Sequence, residues 1–267
     1  MSNIINRGKT VLCGCFAARY FWPGAFLYFL LMWVSPVWSD ENHQGHITAE
    51  LLTGKYPPDY IDYTYFFKYY AGTVMRLFVP MIAGFLAVTF LLDKEKSRYK
   101  RFEMARVGKR TYLIGNYIGG CLVSALAFAA AYTAYVPGIF LCFMGDISLP
   151  EFFRLYSSNL FQGMLYGMGS AVMAQVLSAF LRSRYLVICI PFLAHYLYDC
   201  CQNALFSYFI EQEKYEYLGV FDALRFDAVL EDWNQIRFGT FLFYVVFFFG
   251  GMGIYHSVCG KRKDVGV

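Results

Sequence analysis

The chain has 267 residues, 58% of them hydrophobic and 16% charged, where a soluble domain carries about 25% charged residues. Its 28 Phe, 23 Tyr and mean hydropathy of +0.41 exceed what a water-soluble core of this size hides, which excludes an ordinary soluble enzyme and points to an integral membrane protein. The net charge of +4 says little as a total; its distribution along the chain says more.

The first ten residues, "MSNIINRGKT", lack the apolar stretch a cleaved signal needs, so "VLCGC" at 11–15 is not read as a processing box. Ile5, Leu12, Phe16 and Tyr20 fall on one helical stripe, with Arg7, Lys9 and Arg19 elsewhere, which predicts a cytoplasmic amphipathic helix leading into the membrane. A membrane-crossing helix needs about 20 mostly apolar residues, because each adds about 1.5 Å against roughly 30 Å of hydrocarbon. Six segments qualify, at about 20–38, 70–92, 112–137, 160–181, 185–201 and 238–258, several ending in the Tyr or Trp of an interfacial belt. The expected fold is a single all-α transmembrane domain over 1–267, with six spans and both termini cytoplasmic.

Lys and Arg fix that orientation. With both ends inside, the cytoplasmic segments hold sixteen of the 23 basic residues and only Asp93, Glu95, Glu103 and Asp264 of the acidic ones, as the positive-inside rule requires. Half of the sixteen lie in "DKEKSRYKRFEMARVGKR", 93–110, between spans two and three. Such a run attracts an anionic leaflet by about 1 kcal/mol per basic residue. It also carries helix signals: Ser97 as a cap, Glu103 early and Gly108 as a stop. Tyr99, Phe102 and Ala105 lean to one side of that helix, and Met104 and Val107 to the other. The outer loop at 39–69 is polar and aromatic, and the one at 202–237 mixes aromatic and charged residues in the manner of interfacial helices.

Within the spans, four groups stand out. Arg76 lies about two turns into span two, Gln175 in span four, and His195 and Asp199 one helical turn apart in span five. An ionisable group at membrane depth is a functional candidate by default, although Asp199 near the interface can simply hydrogen-bond His195. Pro80 and Pro191 interrupt spans two and five, and Gly115, Gly119 and Gly120 form a close-approach surface in span three, suited to a neighbouring helix or a second copy. Of the eight cysteines, Cys13, Cys15, Cys121, Cys142, Cys189 and Cys259 are read as buried thiols, while the adjacent Cys200 and Cys201 rarely bridge each other, and a bond from Cys142 to one of them is the alternative.

There is no GxxxxGK[ST] loop for ATP and no HExxH zinc motif, so no cofactor or metal is assigned to the chain itself. "GMGSA" at 167–171 with His195 allows an intramembrane Ser–His arrangement, but Ala171 breaks the GxSG pattern and the His stands on the next span. A nucleic-acid role is not expected, since nothing resembling a soluble basic domain surrounds the charged run.

The layout of six spans, a leading amphipathic segment, a basic helix-bearing loop and an outer segment after span five resembles the permease subunits of ATP-binding-cassette exporters of the type-2 family. "RYKRFEMARVGKRTYLIGNY" is similar to that family's loop, where R-x-G-x-x-x-Y, here Arg106, Gly108 and Tyr112, leads into span three. "SRYLVICIPFLAHYL" at 183–197 is similar to its fifth span, with a basic-aromatic start and P-F-L inside. The resemblance implies a channel without its own motor, in a cell membrane of the bacterial plasma-membrane kind. It implies pairing with a second permease copy, identical or not, and docking of a separate nucleotide-binding ATPase that holds ATP and Mg. It further implies that a coupling helix within 98–110 meets that motor through Arg98, Arg101, Phe102, Met104, Arg106 and Arg110. The alternatives are a non-transporting membrane scaffold or sensor, and an intramembrane protease.

Overall fold

The computed structural model describes residues 13–39, 45–47, 73–96, 99–143, 149–181, 183–211 and 238–261. Among them the chain is a helical bundle with one small hairpin. Helix α1 spans Phe21–Val34, strands β1 and β2 span Pro36–Ser39 and Gly45–Ile47, α2 spans Thr73–Lys96 and α3 spans Tyr99–Val107. Helices α4, Lys109–Phe143, α5, Leu149–Phe180, α6, Arg184–Glu211, and α7, Phe238–Lys261, complete it.

Three helical stretches are long and apolar enough to cross a membrane: Lys109–Gly138, Leu149–Phe180 and Thr240–Lys261. Three shorter apolar helices accompany them, Phe21–Val34, Leu77–Leu91 and Tyr185–Tyr198. The chain is a membrane-embedded helical protein. Each of the six apolar runs falls on one of these helices, but several ends differ from expectation.

The first run, expected to be helical over 20–38, leaves the helix at Val34. Pro36 has no N–H and pushes the residue before it out of the α region, and Ser35 is extended at φ −68 and ψ 133. Pro36–Ser39 instead pairs antiparallel with Gly45–Ile47, a small two-stranded addition to an otherwise helical fold. At the other end, α4 continues through Pro137 to Phe143. The fourth run begins at Leu149 rather than 160, since Tyr156 of that early turn stacks on Tyr132 at 5.5 Å and bonds the Thr133 hydroxyl at 2.8 Å. The fifth runs to Glu211, ten residues past the expected end, so 202–211 continue α6. The expected interfacial helices over 212–237 and the leading helix before residue 13 lie outside the described residues.

Helix α5 is the centre. It packs most extensively on α4 and α2, and also on α7 and α6, while α1 lies against α4 and α2. The main core fills with Tyr28 and Met32 from α1, Leu86 from α2, and Phe128, Tyr132 and Tyr135 from α4. The second lies toward the other end of the bundle, around Leu91, Tyr112, Tyr117, Val172 and Tyr255. Between the two cores α4 is lined with small residues, and Gly119 and Gly120 seat the chain's own helices. A Cβ at Gly119 would stand 2.7 Å from Phe90, and one at Gly120 would run into the Gln175 amide. Gly115, by contrast, has open space beside it.

Candidate functional site

Helix α3 occupies the basic loop. It ends because Gly108 takes φ +84, a left-handed conformation that a Cβ disfavours, and its N–H then caps the Met104 carbonyl at 3.0 Å. The next helix starts at once, with Tyr112 N–H donating to Gly108 O at 3.1 Å. So the glycine converts two helices into a tight corner.

The two sides of α3 face different surroundings. Phe102 is 76% exposed, and Glu103, Ala105 and Arg106 are exposed too. Met104 and Val107 turn the other way and are half-buried, with Met104 packed against the second core. An exposed Phe of this size gains nothing from water, whereas Met104 anchors the helix to the bundle. Arg110 is exposed at the start of α4. Arg101 stands on α3 with its side chain outside the described residues, and Arg98 is outside them altogether.

One contact here escaped the sequence. Lys109, one residue past the corner, donates from Nζ to the Gly260 carbonyl at 3.1 Å. Gly260 is in the last turn of α7, where carbonyls lack intrahelical partners and a cation is favoured. The loop is therefore tied to the far end of the last helix.

The four intramembrane groups do not form one described cluster. Gln175 is fully buried and donates Nε2 to Cys121 Sγ at 3.5 Å, linking α5 to α4. Its Oε1 has no hydrogen-bond partner among the described residues. His195 is 8% exposed, with its ring edge-on to Tyr166 at 5.8 Å, linking α6 to α5. Tyr166 and Gln175 are nine residues apart, about 13 Å of helix rise, so the two polar groups meet α5 at different depths. Arg76 and Asp199 stand on α2 and α6, with side chains outside the described residues.

Ser170 is fully buried and donates its hydroxyl to Tyr166 O in its own helix at 2.9 Å. That is the ordinary behaviour of a membrane-helix serine closing on the preceding turn. Other buried hydroxyls cross between helices: Ser124 donates to Gly167 O at 3.2 Å and Tyr117 to Phe248 O at 3.0 Å. Nothing in the sequence singled out either residue, because each is one of many small or aromatic residues in an apolar run. Among the described residues Cys15 and Cys121 are buried as expected and Cys259 is half-buried, whereas Cys13 and Cys189, like Cys200 and Cys201, are exposed on the bundle, and none of these is in a disulfide; the Cys142 side chain lies outside the described residues. Among the described residues no group of His, Cys, Asp and Glu is arranged to hold a metal.

No family model, no curated protein and no solved structure matches the chain.

Proposed function

We propose that the chain is the membrane-spanning permease subunit of an ATP-driven exporter, with six spans and both termini in the cytoplasm. In this reading a second permease copy pairs with it, and a separate nucleotide-binding ATPase supplies the energy from ATP and Mg. The motor docks on α3. The observation that carries the reading is the two-sided character of that helix: Phe102 and Arg106 face outward while Met104 holds the helix to the bundle. An exposed aromatic beside a guanidinium, on a short helix between two long ones, has the make-up of an interface anchor. The charge bias supports its being on the inner side, with sixteen of 23 basic residues on that side.

The six apolar helices supply the remaining support. Three are long enough to span by themselves, and the three shorter apolar stretches belong to longer helices or to α1. The exposed side of α6, with Tyr185, Leu193 and Leu197, and that of α1, with Trp22, Phe26 and Leu30, offer apolar surface to lipid or to the paired copy.

The test is the triple variant Arg101→Ala, Phe102→Ala, Arg106→Ala. Membrane insertion is expected to stay at the wild-type level while ATP-dependent export by cells or vesicles falls by at least tenfold. Export unchanged in a correctly inserted triple variant would remove α3 as the docking helix.

A further inference from the structure

Helix α7 is held to α4 through two of its own backbone carbonyls. Tyr117 donates to Phe248 O at 3.0 Å, and Lys109 to Gly260 O at 3.1 Å. Between these points Gly251 lies so close to its neighbours that an added Cβ would stand 2.7 Å from Val172 Cγ1 and 2.8 Å from the Tyr117 hydroxyl. The C-terminal half of α7 is thus seated on both α4 and α5. Toward its N-terminal half the fit to α5 is incomplete, and a cleft of about 140 Å³ remains. Leu165, Met168, Gly169 and Val172 form the α5 wall, and the stretch 241–249 forms the α7 wall.

The chemistry of those walls restricts the occupant. They present carbon almost throughout. A buried water needs two to four polar partners, so water does not fill this space, whereas an apolar cavity of roughly 150 Å³ takes up benzene-sized hydrocarbon. The cleft is also partly open. Phe241, Val246 and Phe249 of the same stretch of α7 are exposed, Val246 by 62%. On a helix long and apolar enough to cross a membrane, that surface meets hydrocarbon chains. Gly169, without a side chain, forms part of the α5 wall.

We propose that the cleft binds the acyl chain of a bilayer lipid, which lies as a wedge between α5 and α7 and completes their packing. Unlike a lipid touching one helix from outside, this chain has protein walls on two sides. It exchanges slowly and is retained when the surrounding lipid is stripped. The proposal rests on membrane embedding alone and stands apart from the permease reading.

The test uses the full chain in phosphatidylcholine nanodiscs, released by native mass spectrometry at energies that remove loosely held lipid. Wild type is expected to retain one phosphatidylcholine per chain. Gly169→Leu fills the cleft from α5 and Val245→Phe fills it from α7; each is expected to cut retention at least tenfold. Delipidation should lower the melting temperature of wild type more than that of either filled variant, and phosphatidylcholine should restore it where glycerophosphocholine does not. Absence of a retained lipid in wild type, equal retention in a folded filled variant, or full rescue by the headgroup alone would each overturn the proposal.

Discussion

Lys109 Nζ lies 3.1 Å from the Gly260 carbonyl oxygen, a contact between residues 151 positions apart. It joins the corner after α3 to the last turn of α7. A displacement of α3 would therefore be felt by α7 as well as by the two helices it directly connects. Replacing Lys109 with Met keeps the stem and removes the donor. The expected loss is about 1 kcal/mol of stability, seen as a melting temperature about 2–4 °C lower in detergent, with Lys109→Arg close to wild type. Equal losses in the Met and Arg variants would show that the bond to Gly260 contributes nothing.

The corner itself depends on Gly108. Any Cβ at φ +84 meets the backbone, at a cost of about 1–2 kcal/mol. Gly108→Ala is expected to lower stability by that amount, and Gly108→Asn by less, since Asn tolerates the left-handed region. Thermal unfolding of both variants checks the order.

At Gly251 there is no room for a side chain against Val172 and Tyr117. Gly251→Val forces α7 away from α4 and breaks the Tyr117 to Phe248 bond, so a loss of about 1–3 kcal/mol follows from overpacking. Tyr117→Phe removes the hydroxyl alone and is expected to cost less, about 1 kcal/mol. A Gly251→Val protein as stable as wild type would contradict the close seating of α7.

Gln175 keeps one amide oxygen buried and, among the described residues, without a hydrogen-bond partner. Leaving such a group unsatisfied costs about 1–3 kcal/mol, and the Nε2 bond to Cys121 sulfur offsets only part of that. Gln175→Leu is therefore expected to unfold at a higher temperature than wild type. A lower melting temperature would mean that the Cys121 contact outweighs the orphaned oxygen.

The places of the helices were legible because lipid replaces water as solvent, and long apolar runs have few other uses. Their ends were less so. Hydropathy alone carried the first run to Trp38, yet the missing N–H of Pro36 stops the helix at Val34. Hydropathy also delayed α5, because Glu151, Arg154 and Asn159 dilute its first turns, although Tyr156 holds them by stacking on Tyr132 at 5.5 Å and on Phe152 at 6.3 Å. In α3, the spacing set Phe102 and Ala105 apart from Met104 and Val107, but which pair faces the bundle was not readable from it. The Lys109 tie was not readable, since nothing local distinguishes that lysine from seven other basic residues in the same run. The cleft between α5 and α7 was equally hidden, because it arises from how closely two helices approach and not from either sequence.

The motor interface is the claim on which the functional account turns. The most direct measurement is the ATPase activity that co-purifies with the affinity-tagged chain from its native membrane, compared between wild type and the Arg101→Ala, Phe102→Ala, Arg106→Ala variant. The account predicts a P-loop ATPase bound to wild type and at least a tenfold lower co-purifying activity with the variant at equal membrane levels. A wild-type chain that brings down no ATPase, or a variant that retains it in full, would contradict the account.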